Sequence, residues 1–319
     1  MDNEEIIEGE ESEQRHEEIG RLLDQALSLD EDEQYEQMLT IARQAARLDP
    51  GSALALACQA RALQKLERIS EATIANDQAL LLDTTIPLAW LNRGGLQLLQ
   101  ERYQESLRSI ERAIELAPND ARAWANKAIA LLALQNPVAA LDAINYSLAL
   151  DPNYLFAMRA KGEILYDLKR MRELIPLLQQ VLESTPSDAY LLALLIRAHR
   201  FLGEYTELLP LTSQLLELDP EDLFAWESHV RTLRALGRFE EAEEAIEQFL
   251  ELIPDDEHLW TMKADNLYRL KRYREAMQAA EQAISINGNY QPAWRVHDKA
   301  TRLMYQRKDQ GKNNKRRDP

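Results

Sequence analysis

The chain has 319 residues, with 37 basic against 54 acidic side chains, a formal charge of −17 and 45% hydrophobic residues. Such a balance argues against a surface built to neutralise duplex phosphates, so nucleic acid is not an expected partner. The single cysteine, Cys58, excludes an intramolecular disulfide framework and points to a reducing compartment.

Residues 1–16 carry Glu4, Glu5, Glu8, Glu10, Glu11 and Glu13, where a signal peptide would need basic residues and then an apolar stretch. A disordered acidic start and a cytoplasmic protein are therefore expected. The longest apolar runs, such as Leu191 to Ile196, are too short to span a bilayer, so no membrane partner is expected. Between residues 17 and 290 a punctuation mark then recurs every 34 residues: Pro50, Thr84, Pro118, Pro152, Pro186, Pro220, Pro254 and Gly288. A fixed period in this range means stacked supersecondary units, each too small to bury its own apolar face. Six residues past the marks from Thr84 onward stand Trp90, Trp124, Met158, Leu192, Trp226, Trp260 and Trp294.

Inside a unit, Trp124, Ala128 and Leu131 form one 3.6-period apolar stripe, and Ala140, Ile144 and Leu148 form a second after a turn. Asn136 followed by Pro137 reads as an N-cap with a first-turn proline, and Ser70 as the cap of the equivalent helix. LGEY at Leu202–Tyr205 and LGRF at Leu236–Phe239 mark the turn between the two helices. Pro176 and Pro210 fall inside second helices at one repeat position, which predicts irregular packing at the centre of the chain. No run alternates long enough to be a strand, so the fold is predicted all-α. Residues 291–306 repeat the first-helix pattern alone, as a capping helix would, and residues 307–319 form a basic tail, expected to be disordered.

This pattern resembles the tetratricopeptide repeat (TPR) family over roughly residues 19–290. With the residue six past each mark counted as position 4, repeats start at Ile19, Ala53, Pro87, Ala121, Leu155, Ala189, Leu223 and Glu257. The family's small residue at position 8 falls on Ala26, Ala60, Gly94, Ala128, Gly162 and Ala264, with departures at Ile196 and Val230. Its small residue at position 20 falls on Ala72, Ser106, Ala140, Ala242 and Ala276, with departures at Met38, Leu174 and Leu208. The resemblance implies a right-handed superhelical solenoid of about eight helix-turn-helix repeats with a C-terminal capping helix. It also implies a non-catalytic adaptor or scaffold that holds an extended peptide in a concave groove.

Positions 2, 5, 9 and 12 share one helix face, which the resemblance places in that groove. In repeats three and four the face reads Leu88, Leu91, Gly95, Leu98 and then Arg122, Ala125, Ile129, Leu132, with Asn92 and Asn126 at position 6. Exposed leucines there would make an apolar docking patch, and the asparagine amides could pair with any peptide backbone. The alternatives are leucines that complete inter-repeat packing and asparagines that bond locally. In repeats five to eight position 2 runs Phe156, Tyr190, Phe224, His258, position 9 gives Arg197 and Arg231, and position 12 gives Arg200 and Arg234. Arginine forks suit carboxylates or phosphates. Here too an alternative exists, because Glu163, Glu227 and Asp265 share the face. The expected partner is a protein or peptide with apolar and acidic residues. The residues required for a chaperone-type carboxylate clamp are not in place around Asn92 or Asn126.

Catalysis is not expected. The histidines are His16, His199, His229, His258 and His297; His229 and His297 share repeat position 7, which suggests a packing slot. No glycine-rich phosphate loop, clustered metal-ligand spacing or nucleophile elbow appears, so no cofactor is expected. The competing reading is a structural subunit that assembles through its outer helices, and homo-oligomerisation is left open.

Overall fold

The structure, a computed structural model, describes the backbone of residues 3–315 and the side chains of residues 13–305 apart from Glu31. The described residues form seventeen helices and no strand, an all-α array of helix–turn–helix repeats. Two compact units meet in sequence at Arg170 and Met171, within repeat five.

Unit one holds α1 (Asn3–Glu31), α2 (Tyr35–Leu48), α3 (Ala53–Lys65), α4 (Ile69–Leu82) and α5 (Pro87–Leu99). It continues with α6 (Tyr103–Leu116), α7 (Ala121–Ala133), α8 (Pro137–Leu150) and α9 (Leu155–Asp167). Unit two holds α10 (Met171–Ser184), α11 (Ala189–Leu202), α12 (Tyr205–Leu218) and α13 (Leu223–Ala235). It ends with α14 (Phe239–Leu252), α15 (Glu257–Arg269), α16 (Tyr273–Ile286) and α17 (Gln291–Lys315). From α3 onward each first helix begins at the residue predicted for its repeat. The outer boundaries differ: α1 already starts at Asn3, and α17 runs past residue 306 to Lys315. Much of the acidic start and the basic tail lies outside the described side chains, and residues 1, 2 and 316–319 lie outside the described residues altogether.

Recurring local bonds explain why the period is 34 residues. Position 34 caps the next first helix: the side chains of Ser52, Asp120, Asp188, Asp222 and Asp256 each accept a first-turn N–H. The indole N–H of Trp90, Trp124, Trp226, Trp260 and Trp294 donates to the carbonyl six residues earlier, at 2.7–2.9 Å. The tryptophan thus ties the first helix to the punctuation mark itself.

Between the helices of each repeat, position 15 takes a left-handed conformation, as at Glu67 and Glu101 (both φ 59°) and Gly203 (φ 74°). The next N–H then reaches back to the carbonyl of position 11, as from Arg68 to Leu63 at 2.9 Å and Arg238 to Leu233 at 2.9 Å. This is a Schellman ending, which glycine suits best. Only Gly203 and Gly237 meet that preference; Glu33, Glu67, Glu101, Gln135, Lys169 and Lys271 adopt the same turn under strain.

Small residues at positions 8 and 20 are buried as expected. A Cβ on Gly94 would lie 2.4 Å from Ile110 Cγ1, and Ser106 Oγ donates to the Gly94 carbonyl at 2.8 Å. Asn136 caps α8 through Ala139 N–H, but Ser70 does not cap α4, which starts at Ile69 with Arg68 as its N-cap. That arginine instead reaches forward to Glu71 with two bonds of 2.8 Å. Pro176 and Pro210 are accommodated within continuous helices α10 and α12.

Candidate protein-interaction site

In unit one the first helices pack neighbour on neighbour, α1 on α3, α3 on α5, α5 on α7 and α7 on α9. Their predicted groove positions serve that packing. Leu88 and Leu91 are 8% and 2% exposed and join the core with Ala57 and Ala89. Asn92 is buried, and its amide donates to the Ala57 carbonyl at 2.8 Å, which uses it as a strut between α3 and α5. The apolar docking patch predicted at Leu88 and Leu91 and the peptide-backbone contact predicted at Asn92 are therefore corrected: close approach of adjacent first helices covers these side chains. Asn126, Ile129 and Leu132 are half-buried on α7.

An ion network occupies the same stripe. Asp30 accepts from Arg61 Nε at 2.9 Å and from Arg122 Nη1 at 2.7 Å, across 92 residues of sequence. Arg122 also pairs with Asp120 at 2.8 Å. The side chains of Asp30, Arg61 and Arg122 keep 3%, 13% and 35% of their exposure, so the aspartate is the enclosed member. Burial opposes ionisation of both Asp120 and Arg122, but their mutual bond and charges win: Asp120 is held below its usual range and Arg122 above its own. Nearby Cys58 is buried, and its thiol is pushed up to about 12, which leaves it unreactive.

Sequence reasoning missed this network. Its signal was an acid at position 12 (Asp30) and bases at positions 9 and 2 (Arg61, Arg122), all on the shared face but in three different repeats.

Unit two treats the equivalent positions differently. Here α15 packs on α17, but α11 and α13 approach less closely than the first helices of unit one. Arg231 pairs with Glu227 at 2.7 Å, and Arg234 with Asp265, which Arg269 also meets at 3.0 Å. Burial draws the Arg234 guanidinium down, while Asp265 pulls it back up. Arg197 and Arg200 have no carboxylate partner among the described residues. Both are exposed, and they lie over the Phe224 ring at 5.0 and 5.6 Å from its centroid. Tyr190 is 51% exposed on the same stripe of α11. His258 Nδ1 lies 3.1 Å from the Tyr290 hydroxyl. Phe156 belongs to unit one, where it is exposed and tilted on Tyr154 at 5.8 Å. The structure thus brings Arg197, Arg200 and Phe224 together and splits Arg231 and Arg234 off into ion pairs.

His229 and His297 lie edge-on against Trp226 and Trp294, at 6.5 and 6.0 Å, in one repeated packing slot. Among the described residues, no helix is long and apolar enough to cross a membrane.

The tetratricopeptide repeat model matches residues 58–120, 91–154 and 228–292, about half of the chain when the overlap is merged. The chain belongs to the tetratricopeptide repeat family. This TPR protein is similar in structure to PilF of Pseudomonas aeruginosa, with 24% identity and a TM-score of 0.56 over 67% of this chain and 97% of that one. It is also similar to the APC/C hetero-tetramer Cut9–Hcn1, with 16% identity and a TM-score of 0.51 over 83% of this chain and 52% of that one. At these identities the likeness is one of fold. No curated protein matches the chain. TPR arrays serve in general as protein-interaction modules without catalysis, and this chain carries such repeats.

Proposed function

We propose that the protein is a non-catalytic scaffold whose peptide-binding surface is the first-helix stripe of unit two, around Tyr190, Arg197, Arg200 and Phe224. The ligand is an extended segment with acidic side chains beside apolar ones. The observation that carries this reading is the pair of exposed guanidinium groups with no carboxylate partner, in a chain with 54 acidic residues to 37 basic. Each fork can take a carboxylate in two parallel bonds, and the rings beside them supply apolar contact. Exposed charge pairs contribute about 0–1 kcal/mol each, so the aromatic contacts provide most of the affinity and the arginines select the sign of the ligand. A dissociation constant near about 10 μM is expected for a short peptide.

The test is fluorescence anisotropy of the full chain with a labelled peptide alternating glutamate and phenylalanine, against its lysine counterpart. Binding of the acidic peptide that falls at least about tenfold in Arg197→Ala/Arg200→Ala supports the reading. Equal binding by that variant rules it out.

A second reading, assembly through outer helices, draws on α4. Ile74 and Leu81, seven residues apart on one helix face, are 61% and 87% exposed. Sedimentation of the wild-type chain against Ile74→Glu/Leu81→Glu tests it: an assembly present in the first and absent in the second favours this alternative.

A further inference from the structure

Two clefts open on unit two, away from the arginine stripe. One of about 430 Å³ is walled by α10, α11 and α12, and one of about 530 Å³ by α12, α13 and α14. Their linings are the same repeat positions one period apart: Leu192 answers to Trp226, Leu195 to His229, and Leu211 to Ala245. At 100° per residue, the cleft side of α11 is opposite the side that carries Tyr190, Arg197 and Arg200. The two surfaces are independent.

The floors are neutral and internally satisfied. Trp226 donates to the Pro220 carbonyl at 2.8 Å, and His229 Nδ1 meets Thr212 Oγ1 at 2.9 Å. Burial, with help from Arg238, lowers the pKa of His229 and keeps the ring uncharged at neutral pH. Gln214 spans the first cleft to the Pro186 carbonyl at 3.0 Å.

The rims are acidic and uncompensated. Glu183 and Glu207 edge the first cleft, Glu217 and Glu244 the second, all exposed. None of the four meets a cation among the described residues. Glu207 shows why. In four other repeats the carboxylate at its position is held by an arginine three residues earlier, as in Arg68–Glu71, Arg102–Glu105, Arg238–Glu241 and Arg272–Glu275. Repeat six has Glu204 in that place, and Glu204 is engaged by His199 at 2.8 Å.

We propose that this face of unit two docks a basic amphipathic segment of another protein. Two bulky apolar side chains one repeat apart enter the paired clefts, and flanking lysines or arginines meet Glu183, Glu207, Glu217 and Glu244. Apolar burial supplies the affinity, and the glutamates select the sign and speed the encounter. Charge complementarity decides the occupant. A second copy would bring a further −17 to an already acidic rim. The chain's own tail, residues 307–319, is basic but has no bulky apolar residue to fill a cleft.

The experiment selects displayed short random peptides on the full chain and on the variant Glu183→Lys/Glu207→Lys/Glu217→Lys/Glu244→Lys, matched by circular dichroism. Expected are peptides with Lys or Arg beside large apolar residues that bind the wild-type chain and lose at least about tenfold affinity on the variant. Ser213→Trp, which plugs the second cleft, should weaken the same peptides. The proposal is overturned if no peptide distinguishes the two proteins, if those that do lack basic residues, or if Ser213→Trp changes nothing. It is equally overturned if sedimentation shows a wild-type dimer that the variant loses, or if peptides bind only once residues 307–319 are removed. Should the fourfold variant misfold, Glu183→Lys and Glu217→Lys singly, one for each cleft, carry the same comparison.

Discussion

At position 9, repeats two to four have Arg61, Gly95 and Ile129, whereas repeats six to eight have Arg197, Arg231 and Asp265. In unit one the small and apolar residues of this stripe let the first helices close on each other. A Cβ on Gly95 would fall 2.6 Å from Gln64 Nε2. The charges left on that face are then enclosed and must find one another, as Asp30, Arg61, Arg122 and Asp120 do. In unit two, α11 and α13, with Arg197 and Arg231 at this position, approach less closely, and Arg197 and Arg200 face water. One repeat grammar therefore yields a self-satisfied surface around Asp30 and an available one around Arg197 and Arg200.

The largest effect should come from breaking the enclosed network. Asp30→Ala leaves two guanidinium groups without their shared partner and should destabilise unit one by roughly 2–4 kcal/mol, a discount from buried pairs because Arg122 is a third exposed. Hydrogen exchange monitored against denaturant should place the loss in α1, α3 and α7 and leave α13 to α16 unaltered. A loss below about 0.5 kcal/mol would mean that the network is no more than a surface feature.

Next is the contrast between the arginine pairs of unit two. Arg197→Ala/Arg200→Ala should weaken acidic-peptide binding at least about tenfold while moving stability by less than about 0.5 kcal/mol. Arg234→Ala should do the reverse, because it strips Asp265 of its half-buried partner. Denaturation and anisotropy on both variants measure the difference.

The units should also differ in their response to acid. Asp120 is held below the usual aspartate range, so the unfolded chain takes up its proton first; this stability is present above about pH 4 and lost as pH falls through the folded value. Glu243 in unit two behaves oppositely. Burial raises it above 4.5, so its contribution is complete below that pH and declines as pH rises through the folded value. Glu243→Gln should therefore raise stability at neutral pH, since the amide can accept from Asn266 without carrying charge. Urea midpoints across pH 3–7, chosen around the reference carboxyl values, check both signs.

The smallest effect should be the same in both units. Glu101→Gly and Lys271→Gly relieve a left-handed turn residue and should each add about 0.5–1 kcal/mol, less the entropy that glycine brings to the unfolded chain.

The local grammar was legible. The 34-residue mark, Asn136–Pro137 and the LGEY and LGRF turns all correspond to helix boundaries or caps, because each rests on bonds within a few residues of chain. Even the spacing of six from mark to tryptophan has a local cause, the indole bond to the mark's carbonyl. The reading of Ser70 as a cap went wrong because a hydroxyl one residue inside a helix looks, in sequence, like one at its edge.

Exposure of the candidate site was not legible in the same way. Leu88 and Leu91 look like Ile129 and Leu132 in sequence, yet the first pair is sealed and the second half open, which depends on how closely α3 and α5 lie. The chain by itself determined the helices, their order and the repeating unit, since capping, turn strain and apolar periodicity act over one repeat. Only the tertiary structure decided which groove charges cancel, because Asp30 and Arg122 meet through the stacking of four repeats, and short-range propensity has no term for a partner 92 residues away.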